Sequence, residues 1–159
     1  MRTAVMGVLL NLAFAACANH SAPQQANESV PDLASMQRAV PSSKVGVPVE
    51  VRYRVVGTPG QNQPATLHLA FVPQVPGKGL KVEFPPSRGV SIETGGSPMT
   101  IQKATPEDVY RKNLLVTPLG SDAGQVRAMV WMEVEGGRTY FSIFQIPVGP
   151  AASAAEVRK

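Results

Sequence analysis

Histidine, cysteine and paired carboxylates are the side chains through which this sequence would do covalent or acid–base chemistry, and they are few. Histidines stand at 20 and 68, the single cysteine is Cys17, and the acidic pairs are Glu107-Asp108 and Glu133 with Glu135. A serine or cysteine nucleophile needs a base within hydrogen-bond reach, and His68 is the candidate within the folded part. It alternates with Leu67 and Leu69, which assigns it to the solvent-facing side of a strand. No set of His, Cys or carboxylate residues has metal-ligand spacing, and no glycine loop has a phosphate-cradling pattern. The acidic pairs fall at strand ends or turns, where solvated charge is expected. No catalytic residue, metal site or cofactor is assigned.

Cys17 stands at the end of a leader rather than in a reactive setting. One positive charge at Arg2 precedes an apolar stretch of 13 residues, Ala4 to Ala16, that ends in small residues. This is the three-part pattern of a secretory signal peptide over residues 1–16. A helix of that stretch covers roughly 20 Å, short of the ~30 Å hydrocarbon core. The sequence Phe14-Ala15-Ala16-Cys17 resembles the lipobox of bacterial lipoproteins, with Phe14 where that pattern prefers Leu. The resemblance implies that Cys17 becomes the lipidated first residue of the mature chain, carrying three acyl chains that hold it at a membrane. A lone cysteine has no intrachain disulfide partner in an oxidising compartment, which favours this reading. Ala18 in place of the Asp that often marks inner-membrane retention favours the periplasmic side of the outer membrane. The competing reading is an ordinary A-x-A site at Ala13-Phe14-Ala15, which releases a soluble periplasmic or secreted protein.

The remaining length holds one domain. The chain has 159 residues, 43% hydrophobic and 16% charged, with 15 Pro and 14 Gly, a composition suited to short strands joined by turns. The formal net charge is +4, spread as single basic residues between single acids, so a nucleic-acid partner is not expected. Residues 17–44 carry the Ala, Ser, Asn, Gln and Pro of a tether. Within it, Leu33, Met36 and Val40 at helical spacing behind Ser29, Pro31 and Asp32 predict a short helix over 31–40. Residues 149–159 read as a disordered tail.

From Val45 the hydrophobic period changes to two. Val47, Val49, Val51, Tyr53 and Val55 alternate with polar residues as one strand. Further strands are predicted over 66–73, 80–84, 90–93, 99–103, 109–117, 125–134 and 138–148. Seven or eight short strands between Gly and Pro turns predict an all-β, antiparallel β-sandwich over 45–148, with a small β-barrel as the alternative. The spacing, and the run Leu115 to Pro118 before Gly120, Gly124 and a long final hairpin, resemble the immunoglobulin-like domains of bacterial cell surfaces.

That final hairpin holds the candidate binding surface. If Val126, Ala128, Val130, Met132 and Val134 face the core, then Arg127, Met129, Trp131 and Glu133 share the other side. An exposed set of Trp, Met and Arg is the composition of an interaction surface. Tyr140 on the second arm completes the candidate set of Arg127, Met129, Trp131 and Tyr140. The reading is a non-catalytic envelope module, anchored by its lipid, that meets a protein partner. The alternative is an envelope ligand (glycan, peptidoglycan or lipid) stacked on Trp131 and Tyr140.

Overall fold

The computed structural model describes residues 31–43, 46–60 and 62–149. The leader, Cys17, His20 and residues 150–159 lie outside them. Nine strands are present among the described residues, β1 (Gln37–Arg38), β2 (Val49–Val56), β3 (Ala65–Pro73), β4 (Gly77–Glu83), β5 (Val90–Thr94), β6 (Met99–Ile101), β7 (Tyr110–Pro118), β8 (Gly124–Val134) and β9 (Thr139–Val148). They form two antiparallel sheets, sheet A in the order β1-β2-β3-β7-β5 and sheet B in the order β6-β4-β8-β9. Neither sheet closes on itself, so the architecture is an antiparallel β-sandwich and not a barrel. The eight strands read from the sequence are β2 to β9; the ninth, β1, comes from the segment expected to be helical.

The period-two pattern explains which face of each strand is buried. Val49, Val51 and Tyr53 of β2 point inward against Leu67, Leu69 and Phe71 of β3, while Leu114 and Val116 of β7 complete the inner side of sheet A. From sheet B come Leu80 and Val82, Val126 to Met132 at alternate positions, and Phe144, Ile146 and Val148. These side chains interlock between the sheets, and their removal from water, at about 25 cal/mol per Å² of apolar surface, is the principal stabilising term. Gly124 at the start of β8 packs directly against Gly89 and Val90 at the start of β5. A Cβ there would lie 2.2 Å from Val90 Cγ2 and 2.6 Å from the Gly89 carbonyl oxygen, so only glycine fits.

Residues 31–40 are not a helix. Leu33–Ser35 make a single 3-10 turn, closed by the Ser35 and Met36 amides donating to the Asp32 and Leu33 carbonyls, and Gln37 and Arg38 then pair with Tyr53 and Arg52 of β2. A short isolated helix is marginal because its first turn costs more order than it gains in bonds. An extended chain on the edge of β2 instead acquires partners: the Ala39 amide donates to the Val51 carbonyl at 2.8 Å and the Tyr53 hydroxyl donates to Gln37 Oε1 at 2.7 Å. Residues 37–39 are therefore part of sheet A, although they precede position 45, from which the sandwich is read in the sequence.

The turn and β1 act as a strap across the outer face of sheet A. Arg111 of β7 donates from Nη1 to the Pro31 carbonyl at 3.0 Å and touches Met36 Sδ at 3.8 Å. Arg52 and Arg54 of β2 reach the Leu33 carbonyl at 2.9 Å and Ser35 Oγ at 3.0 Å. Because β2 and β7 flank β3, the strap crosses β3. Pro31 and Met36 are buried, and the outward-facing Ala70 and Val72 of β3 are buried too. Beyond β1 the chain changes sheets: Ala39 enters the core, Pro41 bridges Phe144, and the Ser42 amide donates to the Ile143 carbonyl of β9 at 2.8 Å.

Candidate functional site

The outer face of sheet B gathers an apolar strip at the positions opposite the core. The turn Glu135-Gly136-Gly137 brings both glycines to positive φ, 97° and 79°, the backbone region that glycine adopts at least cost. It fixes the register at Glu133 opposite Thr139, and therefore sets Trp131 opposite Phe141 and Met129 opposite Ile143. On the other flank β4 sets Lys81 beside Trp131 and Glu83 beside Met129. Two rows result, Lys81-Trp131-Phe141 and Glu83-Met129-Ile143, with Arg127 and Gln145 forming the next.

The strip is ordered by its own contacts. The Trp131 and Phe141 rings lie 4.9 Å apart between centroids at an interplanar angle of 33°. Lys81 Nζ stands 5.6 Å from the centre of the Trp131 ring and 2.6 Å from Glu83 Oε1, so the ring face is polarised against a cation that its own carboxylate holds in place. Trp131, Met129 and Ile143 are half-buried, and Phe141 is 43% exposed, one of the few large apolar side chains on the described surface to be so. Lys81, Glu83, Arg127 and Glu133 around the strip carry two charges of each sign. An apolar centre of aromatic residues and Met with a polar rim is the make-up of a protein-binding surface.

Of the residues singled out from the sequence, the structure brings Arg127, Met129 and Trp131 together and separates Tyr140 from them. Tyr140 is opposite Met132, whose side chain is in the core, so it points to the inner side of sheet B. There it packs against the core and lines a shallow depression with Pro48, Val75, Pro76, Val134 and Glu135. Phe141 takes the place expected of Tyr140. β9 is an edge strand, and Ile143 and Phe144 on it are already engaged by Ser42 and Pro41. The strap lies on sheet A, so it leaves Trp131 uncovered.

His68 does lie on the face opposite Leu67 and Leu69, yet it is buried at 3% exposure rather than solvent-facing, because the outer side of β3 is covered. Its Nδ1 is 2.9 Å from Asn113 Oδ1. Glu107, Asp108, Glu133 and Glu135 are exposed. Among the described residues no three His, Cys, Asp or Glu side chains form a metal-binding group, and no helix is long and apolar enough to cross a membrane. Tyr53, beneath β1, has its phenol pushed above the ordinary value near 10 by burial, so it remains the protonated donor that its bond to Gln37 requires.

The chain is a two-sheet antiparallel β-sandwich with an aromatic strip on one outer face. No family model matches it, and no curated protein matches it. Among solved structures it is similar to the GAE domain of GGA2p from Saccharomyces cerevisiae, at 10% identity and a TM-score of 0.42 over 69% of this chain and 97% of that one.

Proposed function

We propose that the chain is a non-catalytic cell-envelope module, anchored through a lipid on Cys17 at the periplasmic side of the outer membrane, that presents its sandwich to a protein partner. The observation that carries the binding role is the Trp131–Phe141 pair on the outer face of sheet B. The tilted pair of rings, with Met129 and Ile143 on the same face, exposes apolar surface at a cost in solvation, and a partner that covers it recovers that cost. Trp131 and Tyr140 point to opposite sides of sheet B, which argues against a shared stacking platform for a sugar ring. The anchor is supported by the lipobox-like Phe14-Ala15-Ala16-Cys17 at the end of an apolar leader.

The anchor is tested by intact mass of the protein taken from membranes of its native host, beside a Cys17→Ser variant. The expected result is a gain of about three acyl chains, lost in the variant together with membrane fractionation. A chain of unmodified mass in the soluble fraction would refute it.

A further inference from the structure

The outer face of sheet A carries a second arrangement that a partner at sheet B does not explain. Cross-strand register sets Arg38, Arg52, Ala70 and Arg111 side by side in one row across β1, β2, β3 and β7. Arg54 stands in the next row beside His68 and Asn113. Arg38 is directly opposite Arg52, and like charges so placed oppose strand pairing. Among the described residues, Glu50, paired with Arg52, and Asp32, exposed on the strap, are the carboxylates set beside these four guanidinium groups. Arg38, Arg54 and Arg111 are exposed, and each guanidinium has five N–H donors, of which the strap engages only part. The outer face of sheet B, by contrast, is apolar at its centre with its charges balanced.

We infer that the outer face of sheet A is the side of the domain that seats on anionic lipid headgroups, those of the bilayer in which Cys17 is anchored; the inference rests on that anchored reading. Charge complementarity supports it, since arginine presents a planar fork matched to phosphate oxygens and stays charged at any physiological pH. So does the path of the chain. Pro31 lies on this same face, bonded to Arg111, and the 14 steps from Cys17 to Pro31 span at most about 50 Å when fully stretched. The first described residue of the chain thus lies on the basic side of the domain. A lipid anchor and a basic patch together are the two signals that make membrane attachment stable and orient what is attached. With sheet A against the headgroups, the Trp131 strip on the other sheet faces away from the membrane, toward a protein partner.

The test is arginine footprinting of the lipidated protein reconstituted in vesicles of phosphatidylcholine alone or with one-quarter phosphatidylglycerol. Phenylglyoxal labelling is read by peptide mass. Arg38, Arg54 and Arg111 are expected to label about fivefold more slowly on the anionic vesicles, the factor expected for one basic residue held at such a surface. Arg127 and Arg138 should label equally on both, and raised salt should abolish the difference. Trp131, the only tryptophan, should keep its emission when the acyl chains are brominated. Equal labelling at all five arginines would overturn the inference, as would protection of Arg127 with quenched Trp131 emission. Failure of the anchor is a separate result: the chain then lacks acyl mass and does not float with phosphatidylcholine vesicles. In that case the unlipidated chain is floated with the anionic vesicles at low salt. Flotation lost in Arg38→Gln/Arg54→Gln/Arg111→Gln upholds the basic seat, and no flotation of the parent chain overturns it.

Discussion

Trp131→Ala separates a surface aromatic from a core one. Removing a buried Trp or Phe from a sandwich core costs about 3–5 kcal/mol. Trp131 is only half-buried and its contacts are on the outer face: a tilted stack on Phe141 at 4.9 Å and Lys81 at 5.6 Å. The aromatic pair contributes about 0.5–1.5 kcal/mol beyond area and a cation at an exposed ring about 0.5–1 kcal/mol. With about 1 kcal/mol more for the buried part of the ring's area, the expected loss is about 2–3.5 kcal/mol, toward or below the lower end of a core truncation. Urea unfolding followed by far-ultraviolet circular dichroism gives the value without depending on the tryptophan signal, and the midpoint should fall with the slope unchanged. Combined with Phe141→Ala, the cycle should show a coupling of about 1 kcal/mol. A loss above about 4 kcal/mol would mean that Trp131 supports the core, and zero coupling would mean that the two rings do not stack; either refutes the assigned surface.

Other expectations follow from the strap and from the close approach of the sheets. Met36→Ser removes the buried side chain that seats the strap on sheet A, so amide exchange of Ala39, bonded to the Val51 carbonyl, should accelerate by about 10-fold or more while that of Val130 is unchanged. Tyr53 has a folded pKa above the unfolded value near 10, so the stability it contributes is complete below pH 10 and is lost as the pH rises toward the folded value. Alkaline titration should therefore free the strap first, and Tyr53→Phe should remove that part of the pH dependence. Gly124→Ala drives a methyl group into Val90 and the Gly89 carbonyl and should destabilise by about 1–3 kcal/mol or more in thermal or urea unfolding.

The sandwich was legible because each strand buries one face and the alternation survives in the sequence. Val47 to Val55 and Val126 to Val134 show the period without reference to anything distant, and Arg127, Met129 and Trp131 were placed on one face by that period alone. The partner of Trp131 was accessible too. With the hairpin turn at Glu135 to Gly137, counting back from Glu133 opposite Thr139 sets Phe141, not Tyr140, across from Trp131. That count depends on the turn geometry, which a one-residue error reverses. The burial of His68 and the failure of the helix over 31–40 were not legible, since both arise from contacts 19 to 80 residues apart in sequence, the reach of Arg52, Arg54 and Arg111 to the strap. The spacing of Leu33, Met36 and Val40 is compatible with a helix. An edge strand that offers unpaired backbone groups decides against it.

The role of the Trp131 strip is tested most directly by photo-crosslinking in the native host, with the photoreactive side chain at Met129 or at Phe141. The expected result is one discrete protein adduct from both positions, lost when Trp131→Ala is added and not formed from Tyr140 on the inner side of the sheet. Equal adducts from Tyr140, or adducts only to lipid or glycan, would contradict a protein-binding face on sheet B.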